Sequence, residues 1–454
     1  MHQLKRIGEE RVRTLLREFS IPATIGLLVN ALYQVVDRFF IGQGCGSEAI
    51  AGVSLAFPFM AVLNAFGMLI GIGSSSLLSI LLGEHRLEEG ARVVGQTIAV
   101  KVLFFITVPF LMLLFLDPLL LACGATPEAM PSARSYLRIV LVGNLFSHLS
   151  FGLAGLLRSE GAAQRSMWCM AIGAVLNIVL DPLFIFCFDW GVAGAAWATN
   201  LSMFATCVYA ISFYLRRKTA VPLHLRNIRI FPKLLGPALA IGLSPFLLQV
   251  MMGVVNVSFN RMFLIWAPST EAATVEIAAL GIVVTVVTLA LQPVFGVTQG
   301  MQPIVGYNYG AKNYQRVYDC YWLSIKVATL ILAGVTALLL LFPDEVFRFF
   351  TRDPVLIRSG ARSLRIYACM FFAIGMPIVT MNYFQSIGRA YVSIALSLFR
   401  QLVVLVPMVL LLPLAWGVTG IWIAAPASDL IGALVADIVT CFELRRLKWL
   451  KERC

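Results

Sequence analysis

The chain has 454 residues, of which 59% are hydrophobic and only 13% charged, and it carries a formal net charge of +12. A soluble domain carries roughly 25% charged residues, so a water-soluble fold is excluded and lipid must solvate much of the chain. The positive charge sits in short segments between apolar runs, which excludes a nucleic-acid partner as its explanation and fits the positive-inside rule.

The first segment, residues 1–19, is basic. Val12, Leu15, Leu16 and Phe19 fall at i, i+3, i+4 and i+7, the pattern of an amphipathic helix on the cytoplasmic surface. No cleavable signal peptide is expected. Twelve apolar runs follow, near 21–41, 57–80, 93–116, 136–157, 167–188, 192–214, 234–265, 272–306, 318–342, 362–387, 391–413 and 418–442. Each reaches the ~20 residues that a bilayer crossing needs. They lack the apolar–polar alternation of barrel strands, so helices are expected. The predicted fold is an all-α membrane protein with twelve transmembrane helices in two pseudo-symmetric six-helix lobes.

Most basic residues crowd the loops on the side of the N-terminus, among them Arg11, Arg86, Arg158, Arg165, Arg216, Arg217, Lys233, Lys312, Arg389 and the tail through Arg453. The opposite loops hold few, such as Arg134, Arg348 and Arg358. Both termini are therefore expected in the cytoplasm of a bacterial inner membrane. The organisation reads as a segment 1–19, an N-lobe 20–215, a cytoplasmic loop 216–233, a C-lobe 234–443 and a basic tail 444–454. The nine cysteines form no metal or CxxC spacing, and buried apolar roles are expected for them.

The chain repeats itself. Gly73, Gly83 and Gly161 recur as Gly300, Gly310 and Gly388, an offset of half the length. Trp190-Gly191-Val192 recurs as Trp416-Gly417-Val418. Six helices per half give both halves the same orientation, a parallel repeat suited to alternating access.

Ionisable residues inside a span are costly and mark function by default. Asp37 lies in span 1, Asn177 and Asp181 one turn apart in span 5, and Thr199 in span 6. At 1.5 Å per residue all four reach the outer half of the bilayer. Asn30, Tyr33 and Gln34 share span 1 with Asp37. Two nearby carboxylates repel, so the pair favours taking up a proton or holding Na⁺ among amide and hydroxyl oxygens. At an offset of 226, that of the Trp-Gly-Val repeat, Asn177 and Asp181 map to Val403 and Pro407, so this centre belongs to the first lobe. The second lobe offers Asn256, Glu276, Gln292 and Asn382 as cavity candidates, with Gln249, Gln299, Gln385 and Asp429 nearby in sequence. His148 is expected to pack. Pro22 is a candidate bending point of span 1.

These pieces resemble the MATE (multidrug and toxic compound extrusion) family, and its MepA-like bacterial branch in particular. The resemblance rests on Pro22 with Val36-Asp37-Arg38-Phe39-Phe40-Ile41-Gly42, on Gly71-Ile72-Gly73-Ser74-Ser75-Ser76 and on Asn177-Ile178-Val179-Leu180-Asp181-Pro182. It continues in Gly191-Val192-Ala193-Gly194, in Gln302-Pro303-Ile304-Val305-Gly306-Tyr307-Asn308-Tyr309-Gly310 and in Gln385-Ser386-Ile387-Gly388-Arg389. It implies a V-shaped cavity and export of bulky, amphipathic organic cations driven by H⁺ or Na⁺ entry. It also implies that Asp37, Asn177, Asp181 and Thr199 form the first-lobe cation site. Residues 374–385 contain no acid, so a second-lobe cation site in span 10 is not expected. No cofactor, no structural metal and no enzymatic activity are expected, and the partners are small-molecule substrates and membrane lipid around a monomer. The competing reading is a lipid-linked oligosaccharide flippase with a similar helix plan. Such a protein commonly needs more basic groups than Lys101, Arg261 and Arg400 in its central spans.

Overall fold

In a bilayer every backbone N–H and C=O must be paired within its own segment, and the apolar runs fold as helices throughout the computed structural model. It describes residues 2–216 and 218–452; Met1, Arg217, Arg453 and Cys454 lie outside the described residues, as do the side chains of residues 2, 3 and 45–51. No strand occurs among the described residues. The helices are α1 His2–Glu9, α2 Val12–Ser54, α3 Phe57–Gly83, α4 Leu87–Leu114, α5 Leu116–Ala122, α6 Met130–Ser159, α7 Ala163–Pro182 and α8 Gly191–Leu215. They continue as α9 Pro232–Trp266, α10 Thr270–Gly310, α11 Tyr314–Leu341, α12 Pro343–Phe350, α13 Pro354–Ala368, α14 Gly375–Ser386, α15 Ala390–Leu398, α16 Val406–Leu411 and α17 Pro413–Lys451.

Among the described residues eleven helices are long and apolar enough to cross a membrane. The pair α13 and α14, bent by 46° at its break, makes a twelfth if counted as one span. The N-terminal segment differs from a single surface helix. α1 ends at Glu9, and Val12 begins a helix that runs without a break into span 1. Leu15, Leu16 and Phe19 are buried in the protein.

The repeat extends to the backbone. His85 and Lys312 share a left-handed conformation (φ 61° and 59°), and so do Gly161 and Gly388 (90° and 76°) and Gly191 and Gly417 (53° and 55°). His85, Gly161, Lys312 and Gly388 follow the last turns of α3, α6, α10 and α14, where this region lets the turn close on its own carbonyls, whereas Gly191 opens α8 and Gly417 sits at a kink inside α17. The halves thus turn corners at matched places.

The chain forms two compact units, residues 1–10 with 21–246, and residues 11–20 with 247–454. α2 passes from one to the other between Ser20 and Ile21, next to Pro22. α9 does so between Phe246 and Leu247, next to Pro245.

In the first unit, small residues let backbones touch, as packing in lipid favours. A Cβ at Gly73 would strike the Ala238 carbonyl of α9, and one at Gly242 would strike the Leu69 carbonyl of α3. Ser159 Oγ donates to the Ser75 carbonyl (2.7 Å) and Asn200 Nδ2 to the Ile139 carbonyl (2.6 Å). His148 stacks on Phe105 (4.1 Å between centroids), so its place is in packing. Lys101 Nζ donates to the His148 and Gly67 carbonyls (2.7 and 3.3 Å) and is fully buried.

The segment joining α8 to α9 is strapped to this unit. Val221 and Asn227 are buried, and Gln96 Oε1 accepts from the Phe231 amide (2.8 Å). Glu160, just past α6, accepts from Tyr214 Oη (3.0 Å) and from the Ala220 and Val221 amides (2.6 and 3.3 Å). Burial pushes its carboxyl from the ordinary 4.5 up to about 7, against the lowering effect of Tyr214, the two amides and Arg165. A raised folded value means that the contribution to stability is full below about 4.5 and is lost as pH rises through about 7. Thermal melts of purified protein should therefore lose stability across that window, and Glu160→Gln should flatten the slope. An unchanged slope in Glu160→Gln would contradict the assignment.

The second unit reverses the arrangement. Here the tyrosine is on α14 and the acid on α17: Tyr383 Oη and Arg446 donate to Glu443 Oε1 (3.0 and 2.9 Å) and Arg389 to its Oε2 (3.2 Å). Tyr321 stacks on Tyr383 (4.1 Å) and hydrogen-bonds Thr380 and Thr440 (2.9 and 2.8 Å).

Candidate ion-coupling site

α7 does not stop at Asp181. It runs through Pro182 into a π-helical turn, Leu183–Cys187, so the acid lies within a span, Ala163–Cys187. Proline withholds a backbone N–H, and π turns occur mostly at functional places in helices. Asn177 and Asp181 are one turn apart on α7, and both are fully buried. Asn177 Nδ2 donates to Asp181 Oδ1 (3.1 Å) and to Thr199 Oγ1 of α8 (3.3 Å). One amide therefore ties the two helices together.

Asp37 of α2 completes the cluster. Its carboxyl lies within electrostatic reach of that of Asp181. Arg38, next in sequence, turns away and lies over the Phe57 ring, 4.6 Å from its centroid. Among the described residues neither acid forms an ion pair. Asp37 Oδ1, Asp181 Oδ2 and Asn177 Oδ1 are all buried without a hydrogen-bond donor. Three acceptor oxygens without a donor suit an electropositive guest, because a buried acceptor left unmade costs ~1–3 kcal/mol. Tyr33 of α2 and Tyr136 of α6 lie within electrostatic reach of both acids. Tyr136 also packs against an apolar cluster of Ile41, Ile185, Val192 and Ala195, with Phe40 and Val53.

Tyr136 was not singled out from sequence. Its signal was available: it sits six residues into α6, about 9 Å along the axis, at the depth of the other four. The remaining sequence candidates lie elsewhere or are already occupied. Asn30 and Gln34 bond each other (3.1 Å) on an exposed face. Glu276 accepts from Ser359 Oγ and Trp422 Nε1 (both 2.8 Å). Asn382 Nδ2 donates to the Ile378 carbonyl of its own helix (2.9 Å). Asn256 is exposed and Gln292 partly so. Asp437 is a further half-buried acid, on α17. Among the described residues no group of three His, Cys, Asp or Glu could hold a metal ion.

A twice-repeated all-helical membrane fold with a polar cluster inside one repeat defines the class: a multi-pass membrane protein built as a transporter. The MatE family model matches the chain twice, over residues 22–183 and 250–411. The chain belongs to the MatE family, and as a member it is a membrane transporter and not an enzyme. It is 25% identical over 437 residues to the multidrug export protein MepA of Staphylococcus aureus, spanning 96% of this chain and 95% of that one. Among solved structures, an outward-facing multidrug resistance MATE family transporter of the MOP superfamily matches with a TM-score of 0.92 and 28% identity over 99% of both chains. A MATE described as in the bent conformation matches with a TM-score of 0.90 and 28% identity, over 99% of this chain and 98% of that one.

Proposed function

We propose that this protein exports amphipathic organic cations in exchange for H⁺ or Na⁺, by alternating access of its two lobes in a bacterial inner membrane. The observation that carries this reading is the set of three donorless oxygens on Asp37, Asp181 and Asn177. Na⁺ entering from the outside would coordinate them together, a proton would turn one carboxylate into an O–H donor for a neighbouring oxygen, and either changes the charge of the lobe by one unit. Thr199 Oγ1 supplies a further oxygen ligand, and oxygens of this kind suit a hard cation. Pro22, beside the point where α2 changes unit, is the place where span 1 bends. The multidrug character rests on the names of the relatives. Both termini face the cytoplasm, and the protein works as a monomer. The flippase reading loses support because Lys101 is spent on backbone carbonyls and Arg400 is paired with Asp429.

Ion and drug affinities are linked reciprocally if one displaces the other. Ethidium bound to purified protein should be released as H⁺ or Na⁺ rises, and Asp37→Asn should remove that competition. Thr199→Val, which keeps the shape but loses the oxygen, should raise the half-effective ion concentration roughly tenfold, the equivalent of ~1.4 kcal/mol. Ion-independent ethidium binding in the wild type would overturn the reading.

A further inference from the structure

The second unit also keeps an acid on the helices that correspond, by the repeat, to α7 and α8. Asp429 of α17 is 3% exposed and forms a direct ion pair with Arg400. Arg400 lies in a π-helical segment, Phe399–Leu405, between α15 and α16. Its side chain is 25% exposed. The aliphatic stem runs beside Gly432, where a Cβ would sit 2.9 Å from Arg400 Cγ and 3.0 Å from Cδ. Glycine one turn past Asp429 thus leaves the lane through which the guanidinium reaches the acid. The other titratable groups facing Asp429 are Tyr367 of α13 and Cys369, at the break where α13 and α14 bend by 46°. Neither brings a positive charge. Three irregular features of the backbone therefore converge here, the π segment, the broken span and the glycine lane.

The two units solve the same problem differently. A buried carboxylate needs a positive partner. At Asp37 and Asp181 no side chain among the described residues forms an ion pair, and oxygens are left without donors. At Asp429 a guanidinium supplies it, and a guanidinium stays protonated in proteins. The geometry points to Arg400 as a tethered cation that does at Asp429 what a mobile ion does in the first unit, so that ion exchange is confined to one site per molecule. This rests on the reading of the first unit as the ion-coupling site. The second lobe then enters each half-cycle already neutralised, and its acid is silent to H⁺ and Na⁺. Arg400 is a positioning residue in this scheme, since it touches neither ion nor drug.

The test is a count of protons released per molecule in a pH jump from 5 to 8, with purified protein in nanodiscs and a pH-indicating dye. Wild type and Asp429→Asn should release the same number. Arg400→Gln should release about one more, and Arg400→Gln with Asp429→Asn should return to the wild-type count. Asp37→Asn with Asp181→Asn should lower the count in every background, which tests the first-unit reading separately. A wild-type count that falls in Asp429→Asn would overturn the proposal, as would Arg400→Gln matching wild type. Should Arg400→Gln fail to fold, the comparison of wild type with Asp429→Asn and with the double variant still decides it.

Discussion

Asp37→Asn and Asp181→Asn each reduce drug efflux more than 100-fold while the protein still inserts. Asparagine preserves size and one acceptor oxygen, so at position 181 the hydrogen bond from Asn177 survives. What it removes is the charge. The cluster works only if a cation can neutralise it, and an amide has nothing to neutralise. The ion's binding energy at this charge is what drives the cycle, and losing ~2.8 kcal/mol of it already amounts to 100-fold. Arg38→Gln makes the control, because Arg38 lies on Phe57 and not on Asp37; it should retain most efflux. Ethidium efflux from cells lacking other exporters, with membrane immunoblots for expression, reads both. Normal efflux by either aspartate variant would remove the site from the mechanism.

Gly73→Val and Gly242→Val should prevent accumulation of folded protein. Each added side chain meets a backbone carbonyl across the α3–α9 contact, Ala238 in one case and Leu69 in the other. A flexible side chain could swing aside, but a carbonyl inside a helix can yield only if the helix moves. Overpacking costs ~1–3 kcal/mol even where side chains adjust, and here the adjustment must separate two helices. Gly334→Ala is the contrast. Open space surrounds Gly334 on α11, and alanine is better than glycine inside a helix by ~1 kcal/mol. Size-exclusion profiles and thermal melts should show the two valine variants absent or aggregated and Gly334→Ala at least as stable as wild type.

The spans were legible in sequence because lipid imposes one rule on every segment: long, apolar and helical. The duplication was legible for a similar reason. Gly161, Gly388, Gly191 and Gly417 mark corners where the chain takes positive φ, so they recur at nearly the same offset, 227 and 226 residues. Helix ends were less visible. α2 runs from Val12 to Ser54, far beyond the apolar run at 21–41, because α-helix can continue past the bilayer with no change of hydropathy. The break within span 10 was hidden too, since residues 369–374 are as apolar as their neighbours. The site was half legible. Depth along each helix selected Asp37, Asn177, Asp181 and Thr199, but depth does not give the direction in which a side chain points. That is why Tyr136 was missed, and why Glu276 and Asn382, plausible by composition, turn out to be bonded within their own unit.

The central claim is that ion entry through the first-unit cluster drives drug exit. The direct measurement is ethidium transport in proteoliposomes under an imposed pH gradient or an imposed Na⁺ gradient, applied one at a time, with wild type and Asp37→Asn side by side. The account predicts uphill ethidium movement with at least one of the two gradients in wild type and none with either in Asp37→Asn. Gradient-driven transport that survives Asp37→Asn, or wild-type transport that ignores both gradients, would contradict it.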